Sequence, residues 1–521
     1  VSPRRRASVP EWVDVLVLGG GPAGTWAALA AAARGWRVAL ADKGYCGTSG
    51  AAASGGNNLW YLPPEGDARA SAIAERERAG GYLTDRGWMA RTLARTWDAV
   101  GELAAWGYPF PVDDGGGQYR GSLQGPEYMR LMRRRVRRAG VTILDQAPAL
   151  ELLTDPDGVV TGAAGVLRQQ GDGPWSVRAG AVVLATGGCA FLSGALGLNV
   201  DTGDGALMAA ELGAELSGME FSSQYGLAPA FGAQTKGLMY QFATFTADDG
   251  TVLATGRNLA GMVALQRAMV RTRVYARLDR AEPAIHEAMR WSQPNFFLPF
   301  DKMGIDPFTE RFAIRPVLEG TVRGTGGLRV VDDGCATTVP GLYAAGDVAS
   351  RELVTGGISG GGSHNGAWAI SSGGWAGAAA ARFAAGRAGG WRTARLVAAG
   401  RAGIRPRARG ALDAEEVVAA VQSRVLPLEL NRFRTESGLR ESLAVLDPLW
   451  TSVSEGLSAG GSRTRAREAA ALVAHARWMY RAALARTESR AIHLRDDHPR
   501  TDPAQARRLR CGGLDRVWTG S

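Results

Sequence analysis

Apolar positions along the chain fall into short runs punctuated by glycine, and the first run sets the frame. Residues 13–18 are apolar except for Asp14 and predict a buried strand; the alanine-rich stretch 22–34 predicts a helix; 36–41 predicts a second strand ending on the acid Asp42. Apolar spacing through Met89, Leu93, Trp97, Val100 and Leu103 predicts helix within 69–107. A helix over 127–139 and a strand over 141–144 follow, then a meander with turns at 155–158 and 171–174. Runs at 181–188 and 340–348 predict two further buried strands ending in glycine, and 201–216 a glycine turn opening an amphipathic helix. After an Arg/Gly/Ala-rich linker at 389–410, helices are expected at 412–433, 437–450 and 465–490. Strands alternating with helices predict an α/β fold with a doubly wound parallel sheet.

Gly19, Gly21 and Gly24 stand at G-x-G-x-x-G spacing between the first strand and helix. The first glycine permits the tight turn, the second lets backbone amides approach a pyrophosphate, and the third lets the helix pack on the strand. A helix N-terminus offers unpaired N–H groups to phosphate, and Asp42 can accept ribose hydroxyls. An adenine dinucleotide is therefore expected here. The small residues of 47–56 suit backbone packed against a flat ligand.

At 521 residues the chain is long enough for two or three domains. The net charge of +10 invites a nucleic-acid reading, but the cations are almost all arginines, dispersed apart from 4–6, the run at 130–138 and the C-terminal third. No nucleic-acid partner is expected; the arginines of 130–138 suit a solvated helix or an acidic electron-transfer partner. Cys46, Cys189, Cys335 and Cys511 are far apart, which excludes a Cys₄ cluster and attached haem within the chain and favours a reducing, cytoplasmic compartment. No apolar stretch long enough to span a membrane is present, and no export signal follows the arginines at 4–6. Of the cysteines, Cys46 is the candidate for reactivity, with a buried inert thiol as the commoner alternative. No cluster has metal-ligand spacing, so no metal is expected.

The ordered set Gly19-x-Gly21-x-x-Gly24, ATGG (185–188), TGDG (202–205), GLYAAGD (341–347) and a glycine-rich loop at 355–366 opening a helix resembles one family. It is the flavoprotein family of succinate dehydrogenase and fumarate reductase, L-aspartate oxidase and the adenylylsulfate reductase alpha subunit. Glu488, Ser489, Arg490, His493, Arg495 and Pro499 match that family's C-terminal helical-domain signature, with Ala491 in place of its glycine. The resemblance implies FAD in a glutathione-reductase-type domain (11–220 and 319–390), interrupted by an α+β capping domain (221–318) and followed by a helical domain (410–521). It implies FAD contacts from Gly19, Gly21, Gly24, Asp42, Lys43, Ser49, Gly50, Gly55, Gly56, Ala149, Thr186, Gly187, Gly188, Asp204, Gly346, Asp347, Ser363 and Asn365. In most succinate dehydrogenases a histidine attaches FAD covalently; Ser49 stands in that slot here, so the FAD is expected to be non-covalent.

The slots for dicarboxylate chemistry are changed. Tyr225 stands where the substrate histidine is expected, Met262 and Val263 where the proton-shuttle arginine and its aspartate are, and Val322 where a second histidine is. Arg323 follows one residue on, and the last loop's arginine falls near Ser363-His364. Tyr225, Arg323 and His364 are the catalytic candidates, each with a packing or ion-pairing alternative. Tyr240, Phe242 and Phe245 read first as a strand face and second as an aromatic wall; Arg257, Arg271 and Arg273 read as solvated, and His286, His475 and His498 as structural. The expectation is an FAD-dependent dehydrogenase or oxidase of a small molecule other than succinate or fumarate: an amine, an N–N compound or a sulfur centre. Its electrons would pass to oxygen, a soluble acceptor or a ferredoxin-like partner. The rivals are a dicarboxylate enzyme with relocated cations and a flavin subunit of an electron-transfer complex.

Overall fold

The computed structural model describes residues 8–112, 115–235, 237–254, 258–359, 363–406, 412–457 and 461–521. Its centre is strand β1 (Trp12–Leu18), buried from Val13 onward. It lies parallel to β2 (Val38–Ala41) on one side. Helix α1 (Pro22–Ala32) makes the connection, starting on Pro22 at its first position, where the missing N–H costs nothing. The sequence expectation at 69–107 resolves into two helices, α2 (Ala68–Ala79) and α3 (Arg86–Ala105), because Gly81 turns at φ +69° and Asp85 restarts the helix by accepting from the Trp88 N–H.

β3 (Thr142–Leu144) adds to β2. The meander is β4 (Ala149–Thr154), β5 (Val160–Leu167) and β6 (Gly173–Leu184); the second half of β6 runs parallel to β1. Between 201 and 216 only Asp204–Ala210 is helical. A separate antiparallel sheet forms the cap from β7 (Tyr225–Pro229), β8 (Thr244–Ala247), β9 (Val274–Arg277) and β10 (Phe312–Leu318), in the order β7-β10-β9-β8. Helix α4 (Leu259–Arg271) precedes β9. Tyr240 and Phe242 lie in a short 3₁₀ turn and Phe245 in β8, so they form no common strand face. Tyr240 and Phe245 pack with Phe296, Phe300 and Phe312 into the cap's own core, with half-buried Phe242 against it.

The chain then returns to the first sheet with β11 (Leu342–Ala344), parallel to β6. Helix α5 (Ser363–Gly386) crosses α1 closely because both are built of small residues: a Cβ on Gly373 or Gly377 would meet the carbonyls of Ala23 and Ala27 at 2.3 and 2.1 Å. β12 (Val397–Ala398) closes the far edge, giving eight strands ordered β12-β4-β5-β6-β1-β2-β3 with β11 beside β6. The C-terminal helices are α6 (Ala414–Val425), α7 (Glu436–Gly456) and α8 (Arg463–Ala485); Pro427 ends the first well short of residue 433. No described helix is long and apolar enough to cross a membrane.

Candidate functional site

The carboxyl ends of β1, β2, β6 and β11 open onto one cleft, as expected at the switch point of a doubly wound sheet. It holds about 1310 Å³ of free space counted out to its solvent opening. Its floor is the β1–α1 turn. Gly19 sits at φ +110°, where a Cβ would strike the Ala185 carbonyl oxygen at 2.1 Å, so only glycine serves. Gly21 caps α1 without any side-chain hydrogen bond, and a Cβ there would meet nothing within 4 Å. The helix therefore presents its first N–H groups, with the positive end of its dipole, to open space.

Asp42 closes the cleft at the carboxyl end of β2. One carboxylate oxygen accepts the Gly20 N–H at 2.6 Å; the other accepts the Gly44 N–H at 2.7 Å and the Ser49 hydroxyl at 2.9 Å. Burial pushes its pKa up against the lowering effect of these bonds. Lys43 also lines the cleft, but its ammonium is bound to Asp204 at 2.5 Å and Glu468 at 2.8 Å, which ties this loop to the helical domain. At the other end Asp347 is paired with Arg351 at 2.6 Å. Among the described residues, three buried atoms of the lining, Thr186 Oγ1, Asp201 Oδ2 and Asn365 Oδ1, have no hydrogen-bond partner. Orphaned polar atoms, glycine-lined space and uncapped N–H groups are what an extended polar dinucleotide needs, so the residues present fit FAD.

Of the residues singled out from sequence, Gly19, Gly21, Asp42, Lys43, Ser49, Gly50, Gly56, Ala149, Thr186, Gly187, Asp204, Gly346, Asp347, Asn365 and Arg323 line this cleft. Gly24 lies behind it, where a Cβ would strike the Gly19 carbonyl oxygen. Gly55, Gly188, Ser363 and His364 do not line it. The Gly55 carbonyl accepts from Gly125, the Gly188 carbonyl from Gly203 and the Ser363 carbonyl from Trp60, so these act as supports. His364 is buried, packs against Trp60 in a tilted arrangement at 4.5 Å between ring centroids, and faces Arg76 Nε at 2.9 Å. The guanidinium only donates, so the imidazole accepts. Desolvation lowers the Arg76 pKa to about 10.

Tyr225 requires a correction. Its side chain is buried away from the cleft, and its hydroxyl donates to the backbone carbonyls of Val425 and Leu426 at 2.9 and 3.1 Å. Strand alternation sends the neighbouring Gly226 to the opposite side, where a Cβ would meet Thr235 and Glu319. Tyr225 thus joins the cap to the helical domain. Met262 is half-buried against the cap core and does not reach the cleft. All four cysteines are buried, and burial pushes the Cys46 thiol up to about 12, so it is an inert thiol. Arg257 lies outside the described residues, as do part of the second glycine loop, the arginines at 4–6 and part of the linker at 389–410.

Sequence reasoning passed over Asp201, Asn57, Tyr128 and Ile370 in the lining, and Glu319 behind Arg323. Asp201 carried a signal, as it immediately precedes the TGDG turn. Glu319 is buried, accepts the Thr235 hydroxyl at 2.7 Å and lies 3.7 Å from Arg323 Nε. Glu436, Asp497 and His498 gather at the surface, where Asp497 is already committed to Arg495.

Fold and cleft together define a dinucleotide-binding flavoprotein. Residues 14–225 match the family description "FAD binding domain", and 424–510 match "Fumarate reductase flavoprotein C-term". The chain is 30% identical to L-aspartate oxidase of Streptomyces coelicolor over 384 residues, spanning 66% of this chain and 65% of that protein. Against L-aspartate oxidase of Mycobacterium leprae it is 29% identical over 546 residues, covering 96% of each chain. A quinol fumarate reductase structure from E. coli superposes with a TM-score of 0.79 at 20% identity, over 98% of this chain and 96% of that one, a likeness of fold. The chain belongs to the FAD-dependent oxidoreductase family of succinate dehydrogenase, fumarate reductase and L-aspartate oxidase.

Proposed function

We propose that this flavoenzyme oxidises a small molecule at an amine or other nitrogen centre and orients it through a single anionic group on Arg323. One observation carries the reading. Among the described lining residues the cations are Lys43 and Arg323, and Lys43 is consumed by Asp204 and Glu468. Arg323 is held more loosely, with Glu319 at 3.7 Å, and so keeps donors for a ligand. One clamp suits a substrate with one anion, whereas a dicarboxylate calls for two. The relatives named for L-aspartate act on a molecule that bears an amine.

FAD, when bound, accepts the two electrons. Thr235 holds Glu319 in place, and Glu319 holds Arg323 at the cleft wall. Val322, buried in the lining, excludes water beside it. An N–H proton leaves more readily than a carbon-bound one, so no strong base of the kind missing at Met262 and Val322 is needed. His364, behind the wall, is assigned no contact with substrate. The reduced enzyme passes its electrons to oxygen or to a soluble or ferredoxin-like acceptor.

A second reading, a dicarboxylate or L-aspartate enzyme with a relocated cation, rests on the near-full-length similarity to L-aspartate oxidases together with the Arg323–Glu319 pair. Anaerobic flavin bleaching against amines, hydrazines, L-aspartate and succinate decides. Bleaching by amines or hydrazines supports the first reading, and bleaching by L-aspartate or succinate alone transfers support to the second. A flavin that dithionite bleaches but no small molecule does overturns both in favour of an electron-transfer subunit.

A further inference from the structure

Asp201 lines the cleft and is 4% exposed, yet its buried Oδ2 has no hydrogen-bond partner among the described residues. Its Oδ1 lies against Gly187, 2.1 Å from where a Cβ would stand, so the φ +77° glycine of the ATGG turn is what makes room for it. The charged groups facing it are Asp347, Asp42, Asp204 and Lys43, with the buried Cys189 thiol close by. Three of these are carboxylates, and the one cation is already paired with Asp204 and Glu468. A buried carboxylate without a partner is among the most costly arrangements a protein can hold. A neutral acid in the same place is a donor aimed at whatever fills the cleft, and the phosphates of a dinucleotide are acceptors only.

We propose that Asp201 carries its proton in the holoprotein and donates that O–H to an acceptor oxygen of bound FAD, so that FAD retention weakens as pH rises. Burial, with Asp347 next, pushes the Asp201 pKa well up, in the same sense. The sign is fixed: the proton is present at low pH, and its loss removes the donor and sets a third negative charge beside a dianionic pyrophosphate. The inference concerns FAD alone and is independent of the substrate assignment above.

The test uses holoprotein as purified, diluted at pH 6.5 to 9, with released FAD read by its fluorescence. The FAD dissociation constant of the wild type is expected to rise by at least ~10-fold across this range. Asp201→Asn keeps a neutral donor at every pH and is expected to stay flat within about threefold. Three results would overturn the idea: a flat wild type, an equal rise in Asp201→Asn (placing the proton on Asp42), or weaker binding of Asp201→Asn at every pH, the mark of an ionised acceptor. Should Asp201→Asn fail to fold, Asp201→Ser, which also keeps a neutral donor, takes its place, and the wild-type profile still decides.

Discussion

The Ser49 hydroxyl donates to Asp42 at 2.9 Å, so the residue standing in the attachment slot is turned onto the acid that organises the phosphate turn. Serine has no nucleophilic nitrogen to form the bond, and its oxygen is already engaged. FAD is therefore expected to be wholly released by acid precipitation, leaving a denatured polypeptide without flavin fluorescence. Ser49→Ala removes one hydrogen bond to a buried carboxylate, worth ~1.5–3 kcal/mol, and should weaken FAD binding by roughly ten- to a hundredfold. Flavin that stays with the denatured chain would contradict this.

Arg323 is predicted to serve turnover and not the fold. Arg323→Met preserves the aliphatic stem and removes the donors, so FAD content and thermal midpoint should hold while the anaerobic flavin reduction rate drops by about 100-fold or more. Glu319→Gln keeps the shape and loosens the clamp, and should fall between the two. Stopped-flow reduction with the substrate identified by bleaching measures both. An unchanged rate in Arg323→Met would move substrate binding elsewhere in the cleft.

What could be read beforehand follows the range of the interactions involved. The β1–α1 turn, Asp42 and the ATGG, TGDG and GLYAAGD turns are local backbone devices, so spacing points to the first two and the family resemblance to the other three. Tyr225 was misread because its role is set by a partner two hundred residues away: the carbonyls at the end of α6 take its hydroxyl. Its neighbour Gly226 faces Thr235 and Glu319 on the other side of the strand, so neither residue lines the cleft. His364, a catalytic candidate from sequence, lies one residue behind the wall, held by Arg76 from α2, a contact between residues nearly three hundred positions apart. Asp201 left only a faint mark, since an acid beside a glycine turn is common. Its meaning lies in a buried oxygen without a hydrogen-bond partner among the described residues, which sequence does not show.

Ala491 lies in the left-handed region at φ +51°, at the position where the family signature has glycine. On either side of it Arg490 pairs with Glu488 at 2.7 Å and the buried His493 faces Arg434 at 2.9 Å, so the backbone has no freedom to relax. A Cβ in this region costs ~1 kcal/mol or more. Ala491→Gly should therefore stabilise the chain by about 0.5 kcal/mol after the entropic cost of glycine in the unfolded state, readable as a small rise in urea midpoint with unchanged slope. A fall in midpoint would mean that the Cβ packs better than its backbone suffers.

Glu352 supplies the pH test of the buried network. It accepts the Ser217 hydroxyl, its other oxygen has no partner, and burial together with the nearby Glu220 pushes it up to about 8 from 4.5. The folded chain keeps this proton where the unfolded chain has lost it, so the unfolded state binds fewer protons between pH 4.5 and about 8. Stability must then fall as pH rises through that window, by about 1 kcal/mol per pH unit from this group, and the penalty is complete above it. Glu352→Gln holds the neutral form at every pH. Denaturant midpoints at pH 5.5 and 8 should diverge between the two proteins, with the variant gaining relative to wild type at pH 8. A gap of the same size at both values would show that Glu352 is ionised throughout and that Arg486 and Arg508 together neutralise it.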